Sequence, residues 1–135
     1  MRIDSAAVID THPLVFHAAG GKRLGLRAAR HLEACEAKAA ITYVPVAVIW
    51  ELALLVRRSR IAMDVSVRGF FETLFSNPAF QPVDVTPDHV FFTEEVRPNE
   101  DPFDALICAA AVELELPLIT RDAEIQDSGI VRTVW

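Results

Sequence analysis

The sequence predicts an α/β fold, a three-layer sandwich built on a mostly parallel sheet. Three observations predict it. Short apolar runs alternate with longer amphipathic stretches, as βαβ units require. The apolar runs are continuous rather than alternating, which suits strands covered on both faces. The chain has 135 residues, 52% apolar and 24% charged. That is the size and composition of one core, so a single domain over residues 1–135 is expected.

Ala6–Ile9 reads as a buried strand ending at Asp10. Leu24, Ala28, Leu32, Cys35 and Ala39 recur at helical spacing, with Arg27, Arg30, Glu33 and Lys38 on other faces. Ala40–Val44 reads as a second strand and Val46–Arg58 as a helix. Val67, Phe70, Phe71, Leu74 and Phe75 predict another helix, stopped by Asn77-Pro78. This aromatic stripe suits the core first and an apolar groove or dimer face second. Phe80–Val85 is a weaker strand and Asp88–Val96 a short helix. Asp101–Leu116 is a long helix, opened by Asp-Pro and stopped before Pro117. Leu118–Thr120 and Ile130–Trp135 close the pattern as strands.

Charge and composition narrow the function. Thirteen basic residues face nineteen acidic ones, a net of −6. A general nucleic-acid coat protein would be basic, whereas a nuclease with acidic metal sites is compatible with this sum. Eleven of the basic residues are Arg. Arg57, Arg58 and Arg60 fall where a helix end favours cations, and Arg is also the better phosphate fork. No apolar run approaches the ~20 residues of a membrane span. The first twenty residues carry Asp4 and Asp10 and lack the layout of a secretory signal, so none is expected. Cys35 and Cys108 have no metal-type spacing and read as buried free thiols of a reducing cytosol.

In parallel α/β sheets, ligands sit at the carboxyl ends of strands. Four acids have sequence positions compatible with that rim. Asp10 follows the first strand, where it also suits a turn or a helix cap before Pro13, as Thr11 does. Glu51 shares a helix face with Val48 and Leu55. A carboxylate there reaches solvent, finds an Arg, or points into a site; buried alone it would cost several kcal/mol. Asp101-Pro102-Phe103-Asp104 opens the long helix. Asp101 suits the cap; Asp104 suits the reciprocal capping position, yet also lies on the packed side with Ile107 and Ala111. Asp122 follows Leu118-Ile119-Thr120-Arg121 and also suits a cap for the Ala123-Glu124-Ile125 turn. Four carboxylates within ~5 Å would repel by about 3 kcal/mol per pair at an effective dielectric of 20. Divalent cations relieve this, and an all-oxygen set suits Mg²⁺ or Mn²⁺ rather than Zn²⁺. Such ions support phosphodiester hydrolysis. His12, near Asp10, is a candidate contact to substrate or metal; His17, His31 and His89 read as surface or core side chains.

The order of these motifs resembles the PIN domain, and within it the small toxin ribonuclease of VapBC toxin–antitoxin systems. The matching pieces are Asp10-Thr11 after an apolar strand, Trp50-Glu51-Leu52 in a helix, Asp101-Pro102-Phe103-Asp104-Ala105-Leu106-Ile107, and Leu118-Ile119-Thr120-Arg121-Asp122. They span essentially the whole chain. The resemblance implies an α/β/α sandwich with a central parallel sheet of about five strands. It implies a cytoplasmic, homodimeric toxin, a Mg²⁺- or Mn²⁺-dependent endoribonuclease held in check by a small antitoxin docking near the active site. Asp10, Glu51, Asp104 and Asp122 match the acidic positions and are thereby the implied catalytic and metal residues, Asp10 and Asp104 foremost. Thr11 and Thr120 are implied supporting hydrogen-bonders, and no cofactor beyond the metal is implied. Activated water would attack an RNA phosphodiester and leave a 5′-phosphate end. Two departures concern substrate contacts: Ala105 stands where related toxins often carry Arg, and Asn99-Glu100 where they often carry His.

Three other readings stay in view. One is a PIN nuclease of RNA processing without an antitoxin. Another is a catalytically inert PIN-like binding module, against which all four acids argue. A phosphotransfer or dehalogenase-like domain would need a second acid two residues after Asp10, where His12 stands.

Overall fold

The computed structural model describes residues 5–135; Asp4 lies outside the described residues. Five strands, β1 (Ala6–Ile9), β2 (Ile41–Pro45), β3 (Phe80–Val83), β4 (Leu118–Ile119) and β5 (Thr133–Val134), form one sheet in the order β3-β2-β1-β4-β5. All four pairings are parallel. β1 is central: Val8 faces Tyr43 of β2 on one side and Leu118 of β4 on the other. Among the described residues seven helices flank the sheet, completing an α/β/α sandwich. They are α1 (Thr11–Ala18), α2 (Leu26–Glu36), α3 (Val46–Arg57), α4 (Val67–Phe75), α5 (Pro87–Glu95), α6 (Pro102–Leu114) and α7 (Ala123–Ser128).

The core lies where the apolar runs meet. Val8, Ile9, Val44, Leu118 and Ile119 of the sheet are fully buried, as are Leu14, Leu32, Val48 and Ile107 of the helices. The aromatic stripe of α4 takes the core reading: Phe71 is buried, and Phe70, Leu74 and Phe75 pack against the same cluster. Cys35 and Cys108 are buried and free. His89 is buried too. Its ring completes the capping box at Thr86, and its Nε2 lies 2.8 Å from Glu113 Oε1, tying α5 to α6. His17 meets Glu36 at 2.8 Å.

Two helices go beyond the sequence reading. α1 has eight residues and begins directly at Asp10, with Pro13 tolerated in its first turn. α7 has six residues, too few for a helical period to show. β1 and β2 have the expected lengths, and β3, β4 and β5 are shorter than expected. β3 stops at Val83 because Thr86 already caps α5. At Gly129 the backbone is left-handed, with φ 69°, and it delays β5 to Thr133.

The last residue is held against α2. The Ala28 N–H donates to the Trp135 carbonyl at 2.9 Å. A Cβ on Gly25 would sit 2.6 Å from the Trp135 carbonyl carbon and oxygen. Gly25→Ala is therefore expected to destabilise the protein by about 1–3 kcal/mol, the range for overpacking. Chemical denaturation measures this, and an unchanged midpoint would show the C-terminal residue to be freely displaceable.

Candidate active site

From β1 the chain builds β2 and β3 on one side, then crosses back to build β4 and β5 on the other. The carboxyl ends of β1 and β4 thus flank the point where strand order reverses, the place where open α/β sheets bind ligands. Asp10 leaves β1 there, and Thr120-Arg121-Asp122 leaves β4.

Asp10 is the hub. It is 7% exposed and caps α1. Its Oδ1 accepts from the Thr11 N–H at 2.8 Å and its Oδ2 from the Thr120 hydroxyl at 2.8 Å. The Thr120 hydroxyl also accepts from the Asp122 N–H at 3.1 Å. The Thr11 hydroxyl donates to Glu51 Oε1, bringing α3 onto the same rim. Both threonines are fully buried. A β-branched hydroxyl has a restricted χ1, so each holds its carboxylate in one direction.

The other acids arrive from helix starts. Asp101 caps α6, accepting from Phe103 N–H at 2.8 Å and Asp104 N–H at 3.4 Å. This fixes the first turn of α6, on which half-buried Asp104 accepts from Asn99 Nδ2 at 2.9 Å. Asp122 caps α7 by accepting from the Ile125 N–H at 3.1 Å. The capping and site positions of these acids are therefore compatible. Asp10 and Asp122 serve both, while on α6 the cap falls to Asp101 and leaves Asp104 free of it.

Electrostatics binds the group together. Burial pushes the Asp10 carboxyl up, opposed by its bonds to Thr120 and Thr11 and by His12, while the Asp122 charge adds to the rise. Burial also raises Glu51; the Thr11 bond opposes it, and Asp10 and Asp101 reinforce it. Asp104 is pushed up to about 7, first by burial, with the Asn99 bond opposing and Asp10, Asp101 and Asp122 adding repulsion. The Cys108 thiol beneath them rises to about 12, by burial and then by the charges of Asp10, Asp104 and Asp122, so it stays a thiol. Among the described residues no Lys, Arg or His is ion-paired with any of the four acids. Nor do any three His, Cys, Asp or Glu side chains there stand as a closed metal-ligand group. The acids share one rim and feel one another, but are not drawn into a cage.

A family model for the PIN domain matches residues 7–129. The chain belongs to the PIN domain family. No curated protein matches it by sequence. Solved structures that resemble this PIN chain include VapBC2 from Rickettsia felis bound to a DNA fragment from the promoter. That match has TM-score 0.69 and 17% identity, covering 96% of this chain and 97% of that one. A toxin-antitoxin complex from Klebsiella pneumoniae matches with TM-score 0.62 and 19% identity, covering 96% of both chains. FitAcB from Neisseria gonorrhoeae matches with TM-score 0.65 and 16% identity, again over 96% of both. At these identities the likeness is one of fold.

The PIN chain thus brings Asp10, Thr11, Glu51, Asp104, Thr120 and Asp122 to one end of its sheet. Sequence reasoning gave Asp101 a capping role; its charge also reaches Glu51 and Asp104. It did not assign Asn99 a role at Asp104, although Asn is a turn former, and here its Oδ1 accepts from the Asp101 N–H at 2.8 Å. Trp50, 57% exposed beside Glu51, meets Phe103 edge-on at a centroid distance of 5.0 Å, and no periodicity announced that pair.

Thr120→Val keeps the shape of a fully buried side chain and removes the hydroxyl that holds Asp10. Activity is expected to fall by about 10- to 100-fold, the scale for losing a group that orients a functional side chain. Steady-state kinetics checks this. Unimpaired turnover would make Thr120 a packing residue only.

Proposed function

We propose that this protein is a divalent-metal-dependent endoribonuclease, the toxin of a toxin–antitoxin pair. The observation that carries the reading is the acid rim: Asp10, Glu51, Asp104 and Asp122 at the switch point of a PIN sheet, none of them in an ion pair among the described residues. Buried carboxylates in mutual repulsion are stable as anions only beside a cation. The donor set is all oxygen and fits Mg²⁺ or Mn²⁺. Asp10 and Asp104 would be the main ligands in this reading, and Glu51 and Asp122 would complete the set. A bound divalent ion supplies charge stabilisation for in-line attack of water on a phosphodiester.

The chain's own residues do the rest. Thr11 and Thr120 hold the Asp10 oxygens, and Asn99 holds Asp104 Oδ2. Asp104, pushed up to about 7, would hold the ion in its ionised form, so binding there would favour the deprotonated carboxylate. In this reading Glu51, whose carboxylate the Thr11 hydroxyl holds, would accept a proton from attacking water. The product carries a 5′-phosphate.

The partners follow from the same reading. The Klebsiella neighbour is a toxin-antitoxin complex, which supports a small antitoxin as the regulator here. We take the working form as a cytoplasmic homodimer; no helix among the described residues is long and apolar enough to cross a membrane. The test is sequencing of 5′-phosphate RNA ends after brief induction in bacteria, wild type against Asp104→Asn. New ends at a few sites with the wild type alone are expected. Identical end profiles, together with no cleavage of purified cellular RNA in Mn²⁺, would sink the reading in favour of an inert binding module.

A further inference from the structure

An acidic site that works on a polyanion needs positive charge beside it, and this chain has a net charge of −6. The structure supplies that charge at one place next to the rim. Phe16 lies on α1, roughly 8 Å of helix rise from Thr11. Phe16 is 5% exposed. Two guanidinium groups converge on it: Arg23 Cζ at 4.3 Å from the centroid and Arg121 Cζ at 4.8 Å. The Trp135 ring meets Phe16 edge-on at 6.4 Å, and the His12 ring lies at 6.3 Å.

Arg121 stands between Thr120, which holds Asp10, and Asp122, so its backbone is part of the site. Arg23 comes from the turn before α2. Both side chains are exposed. Among the described residues neither guanidinium meets a carboxylate and neither donates a hydrogen bond. Two like charges therefore share one aromatic ring with their donor forks open. A structural Arg ordinarily spends those donors on acids or carbonyls. A ring that orients two guanidiniums while leaving their forks free is suited to bidentate capture of phosphate.

We propose that Arg23 and Arg121, aligned on Phe16, form a phosphate-binding subsite for the RNA backbone adjoining the scissile bond. This rests on the ribonuclease reading and names how the substrate is gripped. The pair acts in binding, and bond cleavage stays with the acids.

The test uses the full chain and a fluorescein-labelled polyuridine strand of about 12 nucleotides. Anisotropy is followed from about 50 to 200 mM NaCl in EDTA, and cleavage of the same strand is followed in Mn²⁺. Arg23→Gln and Arg121→Gln are each expected to weaken binding by about fivefold to tenfold. Each should also lower the slope of log K against log salt by about 0.7, the value for one single-strand phosphate contact. In cleavage they should raise KM and leave kcat near wild type. Arg→Lys at either position should restore the salt slope with incomplete recovery of affinity, since Lys lacks the fork. Arg58→Gln, at the C-terminal end of α3, should change nothing. An unchanged slope in the Arg23→Gln, Arg121→Gln double variant overturns the subsite, as does an equal loss in Arg58→Gln or no binding by the wild type at the lowest salt. A wild type that cleaves RNA while the double variant cleaves with unchanged KM overturns the subsite and leaves the nuclease standing. A wild type that cleaves no RNA overturns the reading beneath it.

Discussion

Asp104→Asn is expected to reduce RNA cleavage by at least about 100-fold and, at about pH 8, to raise the melting temperature of the protein. The two effects share one cause. Asp104 is pushed from 3.8 up to about 7 by burial and by the charges of Asp10, Asp101 and Asp122. The folded state thus holds a proton on Asp104 that the unfolded chain has already released. The stabilisation this gives is complete below about pH 4 and is lost as pH rises through about 7. Above that, a repelled charge is carried in the fold. Asn removes the charge and keeps the shape. Converted directly, the shift is worth roughly 4 kcal/mol. Asp104 is half-exposed and solvent screens it, so about 1 kcal/mol is expected, or about 3 °C for a domain of this size. At about pH 4 the two proteins should melt together, because the wild-type group is then neutral. Calorimetry at the two pH values, with cleavage assays alongside, checks both halves. A variant less stable at high pH would make Asp104 a structural residue whose main business is its bond to Asn99.

The separation of function from stability also explains what the sequence could reveal. β1, β2, α3 and α6 were legible because each buries a long apolar run or a full helical period: Ala6–Ile9, Ile41–Pro45, Val46–Arg57 and Pro102–Leu114. α1 was not. Its residues, Thr11–Ala18, are mostly apolar and leave little amphipathic contrast. Glu51 on an apolar face and Asp104 on the packed side of α6 stand out locally, whereas Asp10 and Asp122 fit ordinary cap positions and enter the set only through the order of the motifs. Their convergence required the strand order, which no local pattern encodes. Side-chain partners were least legible. Asn99 reaching Asp104, or Arg23 and Arg121 meeting over Phe16, depends on turns whose geometry is set by tertiary contacts. Residues 16, 23 and 121 have no sequence relation that would join them.

The second large effect concerns the cation. EDTA is expected to abolish cleavage, and millimolar Mn²⁺ to raise the melting temperature of the wild type. At an ion concentration a hundredfold above Kd, the gain is about 2.7 kcal/mol, or about 8 °C. The ion must compete with the proton on Asp104, pushed up to about 7, and burial raises the Asp10 carboxyl in the same direction. The gain should therefore shrink as pH falls from about 8 to about 5, where protons compete for the same oxygens. An Asp10→Asn, Asp104→Asn double variant should start from a higher melting temperature than the wild type and respond to Mn²⁺ hardly at all. This crossing of behaviours separates a specific site from general screening of a protein of net charge −6, because screening would lift both proteins together. A rise of equal size in the variant, or one insensitive to pH, would place the ion elsewhere on the acidic surface. The acids would then be left repelling one another with no cation to justify their burial.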